Sequence, residues 1–100
     1  MDATNNTAEV VPFEAIRPTE IVKDELKARN ISRKEFAERM GMHPSNISRL
    51  LNGEDITMQT AQRLENAIGI PAEEWMRLQA IYEQDVINIA KRSDKSRRIA

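Results

Sequence analysis

The sequence predicts an all-α fold of five helices, and three observations carry that reading. Apolar residues recur at intervals of three and four in five separate stretches. Helix-starting prolines (Pro18, Pro44, Pro71) and helix-stopping residues (Asn30, Gly41, Asn52-Gly53, Gly69) fall between those stretches. A strand pattern is missing: Val86-Ile87-Asn88-Ile89 is the only β-like run, and it continues a helical register.

The chain opens on a polar arm, about residues 1–15, whose first eight or so have the composition of disorder. Val10, Val11 and Phe13 around Pro12 could dock as an extended segment, and Phe13 and Ile16 are expected to pack. Thr19 is the expected N-cap of the first helix, about residues 19–29. Ile21, Val22 and Leu26 point inward there, and Lys23, Asp24 and Lys27 outward. Ser32 then caps a second helix, about 33–40, with Glu35 closing a capping box and Phe36, Ala37 and Met40 on one face. Gly41 ends it, because only Gly takes the left-handed C′ position without steric penalty.

The third helix, about 44–51, starts near His43 with Pro44 at N1, and buries Ile47, Leu50 and Leu51. After the Gly53-Glu54-Asp55 turn, Thr57 caps a fourth helix, about 58–68, with Met58, Ala61, Leu64 and Ile68 inward. Pro71 opens the fifth and longest, about 71–91, with Glu73 and Glu74 where the macrodipole favours acids. Trp75, Leu78, Tyr82, Val86 and Ile89 line one face of it, flanked by Met76 and Ile81. The first half of that face covers the core. The second half has little core left to reach, so a homodimer interface is expected at Leu78, Tyr82, Val86 and Ile89. One domain thus spans about residues 16–91, followed by a basic, nearly structureless tail at 92–100.

Several functions are excluded by composition. The chain has no Cys, which removes disulfides, thiolate catalysis and the usual zinc modules, and it has one His. There is no Gly-rich phosphate loop, so neither an enzyme nor a metal or cofactor site is expected. No apolar run is long enough to span a bilayer, and the N-terminus lacks the order of a secretory signal, which predicts a cytoplasmic protein with no membrane partner. The net charge of −1 hides segregation. Residues 29–53 carry five bases against two acids and residues 91–100 five against one, while residues 54–90 carry seven acids against two bases. Local positive patches, not totals, govern affinity for nucleic acid.

Arg33 to Asn52 reads as a helix-turn-helix rather than an ordinary helical hairpin. With Arg33 first of twenty positions, the small Ala37 is fifth, Gly41 ninth, Ile47 fifteenth and Leu50 eighteenth. The small residue allows close approach, Gly makes the turn, and the two apolar residues lock the second helix onto the first. Ser45, Asn46 and Arg49 lie together on the opposite face, where Asn suits adenine, Arg guanine, and Ser either base. An ordinary solvated face more often carries Glu and Lys, whereas no acid occurs from Gly41 through Gly53. Arg33, His43, Ser48, Asn52 and Thr57 are the candidate DNA-backbone contacts, His43 being equally a cap.

This spacing resembles phage-repressor-type helix-turn-helix domains. Over about residues 16–83 the chain resembles, more narrowly, the HigA-type antitoxins of bacterial toxin–antitoxin modules. The markers are Pro-x-Glu-Ile at Pro18, Leu-Asn-Gly after the third helix, Ile56-Thr57, and Trp75 with Leu78, Gln79 and Tyr82. The family's usual His-Pro-Gly-Glu opening is Arg17-Pro18-Thr19-Glu20 here, and Arg33 stands where Gln is common. The resemblance implies a homodimer that represses its own operon at an inverted-repeat operator. It also implies binding and neutralising a RelE-like mRNA-cleaving toxin. The acids of residues 54–90 then suit a basic partner, with Glu65, Glu73, Glu74 and Glu83 the candidate toxin-facing residues. The alternative is a stand-alone phage-repressor-type regulator with no toxin partner.

Overall fold

A computed structural model describes the backbone of residues 14–99 and the side chains of residues 14–92. The expectations for residues 1–13, with Val10, Val11 and Phe13, lie outside the described residues. Among those described, there are five helices and no strand: α1 (Pro18–Ala28), α2 (Arg33–Met40), α3 (Pro44–Leu51), α4 (Met58–Ile68) and α5 (Ala72–Ile99). The packed pairs are α1 with α3 and α5, α2 with α3 and α4, and α4 with α5.

Local chemistry accounts for most of the boundaries. The Ser32 Oγ accepts from the Glu35 N–H at 3.1 Å, but the Glu35 carboxylate turns to Arg39, 2.8 Å away, so only half of the expected capping box forms. Thr57 Oγ1 accepts from the Thr60 N–H at 3.2 Å. Asn30 at φ 57° and the Ile31 N–H to Leu26 carbonyl bond of 2.9 Å close α1.

Three expectations about boundaries need correction. Thr19 does not cap α1: the helix begins at Pro18, whose ring already holds a helical φ, and Arg17 occupies the N-cap without a capping bond from its side chain. Thr19 is instead fully buried inside the first turn. Pro71 precedes α5 rather than opening it, and its carbonyl accepts from the Glu74 and Trp75 N–H groups. The far end of α5 runs on to Ile99 instead of stopping near residue 91, since residues 91–99 contain neither Gly nor Pro to break it.

The core joins all five helices. Val22, Phe36, Ile47, Leu50, Leu51, Leu64 and Trp75 are fully buried in it, with Leu26, Ala37, Met40, Ile56, Ala61, Ala67 and Ile68. Met58 was expected inward but is 51% exposed, because the buried apolar residue at this entry is Ile56, two positions upstream. Ile16 is also exposed, lying on irregular chain ahead of α1. Arginines tie helix ends together. Arg29 and Arg39 donate to the Ile68 and Ala67 carbonyls at the end of α4, at 2.7 and 3.2 Å. Arg63 donates back to the Met40 and Gly41 carbonyls at the end of α2, at 2.7 and 3.3 Å. Cations suit these sites because helix C-termini carry unpaired carbonyls and partial negative charge. No helix among the described residues is long and apolar enough to cross a membrane.

Candidate nucleic-acid interface

The turn between α2 and α3 is set by Gly41 at φ 66°, and the Met42 N–H returns to the Ala37 carbonyl at 3.0 Å. Beyond it, α3 is pinned by Ile47, Leu50 and Leu51, each at most 2% exposed. Pinning three residues of one stripe fixes the rotation of so short a helix. Ser45, Asn46, Ser48, Arg49 and Asn52 are left exposed to solvent. The α3 stretch and its caps carry no acid, so its own side chains do not repel phosphate.

His43 is the N-cap of α3: its Nδ1 accepts from the Ser45 N–H at 3.2 Å and lies 2.9 Å from the Ser45 Oγ. With Nδ1 accepting, Nε2 is the ring's donor, on an exposed side chain. Ser45 therefore shares its hydroxyl with His43, and Asn46 and Arg49 are the face's less committed groups. Arg33 is exposed at the start of α2. Thr57 is exposed too, with its hydroxyl used as the α4 cap.

A shallow groove joins Gly41, Met42, His43 and Asn46 to Gln59, Thr60 and Arg63 of α4. The first turn of α4 thus borders the α3 N-terminus, and Gln59 and Thr60 flank the face without having been singled out from sequence. The Thr57 cap was the available signal, since a helix N-terminus presents unpaired N–H donors. The positive charge of residues 29–53 proves divided. Arg29 and Arg39 pair with Glu25 and Glu35 and hold α4, whereas Arg49 stays on the α3 face.

The other expected sites are distributed differently. Leu78 is half-buried against this chain's own core. Tyr82 is half-buried, with the Arg17 guanidinium 5.0 Å from its ring centroid. Val86 is 44% exposed and Ile89 half-buried, while Ile81 and Ile87, at 50% and 47%, add exposed apolar surface. Of the four acids, Glu65 accepts from the Ala72 N–H at 2.8 Å and so caps α5, Glu74 pairs with Arg77, and Glu83 accepts from Gln79. Glu73 is exposed. Gln79, at 4% exposure, binds the loop before α4. Among the described residues, no group of three or more metal-ligating side chains comes together.

Residues 22–75 match the sequence pattern of the helix-turn-helix family. The chain is also similar to an uncharacterized HTH-type transcriptional regulator, YddM, of Escherichia coli strain K12. Identity is 39% over 64 residues, which cover 63% of this chain and 68% of that protein. Helix-turn-helix domains bind DNA and are not enzymes. With the family pattern spanning more than half of the chain, and the left-handed glycine and buried α3 stripe it requires in place, the chain belongs to the helix-turn-helix family.

Proposed function

We propose that this chain is a sequence-specific transcriptional repressor, acting in the cytoplasm, that reads operator DNA as a homodimer with α3 in the major groove. The observation that carries the reading is the division of α3. Ile47, Leu50 and Leu51 hold one side rigidly in the core, and Asn46 and Arg49 are exposed on a stretch, Gly41 through Gly53, that carries no acid. Asn46 pairs with adenine and Arg49 with guanine, each through two hydrogen bonds, and Ser45 adds a single bond. Arg33, His43, Ser48, Asn52 and Thr57 contact phosphates and set the register. Two copies joined along α5, through Ile81, Val86 and Ile89, present two α3 helices about 34–36 Å apart to an inverted repeat.

The likeness of residues 16–83 to HigA-type antitoxins adds a second role, neutralising an mRNA-cleaving toxin. It rests on the resemblance alone, and a stand-alone regulator accounts for the DNA face equally well. Selection of duplexes from a random-sequence pool tests the repressor reading: an enriched inverted repeat is expected, and no enrichment sinks it. Co-expression with the product of the neighbouring gene separates the two roles. A stable complex supports the antitoxin, and its absence leaves the stand-alone regulator.

A further inference from the structure

The segment that leaves α3, residues 53–56, is gripped at both ends from outside the helix-turn-helix. At its start, Arg17 Nη1 donates to the Gly53 carbonyl at 3.0 Å, while the same guanidinium lies 5.0 Å from the centroid of the Tyr82 ring. At its end, the buried Gln79 amide bonds twice: Oε1 accepts from the Ile56 N–H at 3.0 Å, and Nε2 donates to Asp55 Oδ1 at 3.1 Å. Nε2 also donates to Glu83 Oε2 at 3.1 Å, which fixes the orientation of the amide. Gln79 and Tyr82 are three residues apart on α5 and therefore adjacent on its surface. The main packed partners of α3 are α1 and α2, while α5 shares the buried core with it through Trp75. Beside the shared core, this segment gives α5 a polar hold on the exit of the reading helix.

We propose that Arg17, Gln79 and Tyr82 are positioning residues for DNA readout, a clasp by which α5 fixes the exit of α3. The inference rests on the repressor reading above and adds residues that touch no base. Bidentate base recognition tolerates errors of only about 0.5 Å and 10–20° in the supporting frame. Leu50 and Leu51 bury the apolar side of the α3 C-terminal end, and the clasp adds a hold on the chain that leaves it. Because the proposed seam also lies on α5, the clasp ties each reading helix to the two-fold axis. Loss of the clasp blurs the spacing between heads as well as the aim of each.

The test uses the full chain, a duplex selected from a random pool by the wild-type protein, and a scrambled duplex. Arg17→Met and Tyr82→Leu should each weaken the selected duplex about tenfold, the effect of losing one polar contact, and leave the scrambled duplex unchanged. The slope of affinity against salt should stay the same, because no phosphate contact is lost. Tyr82→Phe, which keeps the ring, should recover most of what Tyr82→Leu loses. Amide exchange at Ile56 should accelerate in Gln79→Leu, with or without DNA. Equal weakening of both duplexes with a slope shallower by about one would make Arg17 a phosphate contact and overturn the proposal. So would wild-type discrimination in Arg17→Met, or a dimer lost in that variant by sedimentation. If the wild-type chain selects no sequence, the repressor reading falls first, and the clasp's role in readout with it.

Discussion

Replacing Gly41 and Gly69 by Ala separates two costs that the turn glycines combine. Both residues have left-handed φ, +66° and +80°, but a Cβ on Gly69 meets nothing within 4 Å, while one on Gly41 lies 3.2 Å from Arg63 Nη1. The left-handed conformation costs an L-residue about 1–2 kcal/mol, part of which is offset by the lower entropy of the unfolded Ala chain. Gly69→Ala should therefore destabilise by about 1 kcal/mol. Gly41→Ala carries that cost and also crowds the Arg63 guanidinium, which must give way by a few tenths of an ångström and so weakens its 2.7 Å bond to the Met40 carbonyl. A charge-assisted bond is worth about 1.5–3 kcal/mol, and solvent at this partly exposed site reduces it to about 1 kcal/mol. The expected total is about 2 kcal/mol, against about 1 kcal/mol for Arg63→Met alone. In thermal melts by circular dichroism, each kcal/mol lowers Tm by about 4–8 °C in a domain of this size. The double variant should cost about 2 rather than 3 kcal/mol, because the Arg63 contact is lost only once. Equal shifts for the two glycines, or a strictly additive double variant, would refute the role given to Arg63.

Other substitutions report on separate parts of the molecule. Arg49→Ala should cost about 1–3 kcal/mol on the selected duplex and relax preference at one position per half-site. Arg33→Ala should weaken all duplexes alike, and competition binding that shows the same loss of discrimination in both variants would remove that division. Ile81→Glu with Val86→Glu puts two charges on the exposed apolar part of α5 and should give monomers with much weaker operator binding; an unchanged sedimentation coefficient would move the interface elsewhere. Glu65→Ala removes the cap on the Ala72 N–H and should cost about 1 kcal/mol, whereas Glu73→Ala should stay within about 0.5 kcal/mol. Equal melting shifts for that pair would leave the α5 cap without energetic weight.

Helix number and most boundaries were legible in the amino acids, because the residues responsible act locally. A Gly in the left-handed position, a Pro at N1, or a Ser or Thr three residues before an N–H decides its own turn of backbone. Gly41, Pro44 and Thr57 acted in this way. Thr19 misled because Pro18 had already started the helix, and the end of α5 was missed because no breaker is present to be read. The stripe and polar face of α3 were equally legible, since one helix's periodicity separates them.

Long-range partners were decided by the tertiary structure alone. Charge counting assigned Arg29 and Arg39 to a DNA-facing patch, yet their guanidinium groups lie on carbonyls 39 and 28 residues away. Glu65 looked like free acidic surface and instead closes the first turn of the next helix. Gln79 was a marker of resemblance with no physical role until the fold brought Asp55 and Ile56 to its amide. Residue type limits what a side chain can bond to, but the partner is chosen by which backbone groups the helices leave unpaired nearby. That is set by how α1, α2, α4 and α5 cross, and nothing within a single helix encodes it.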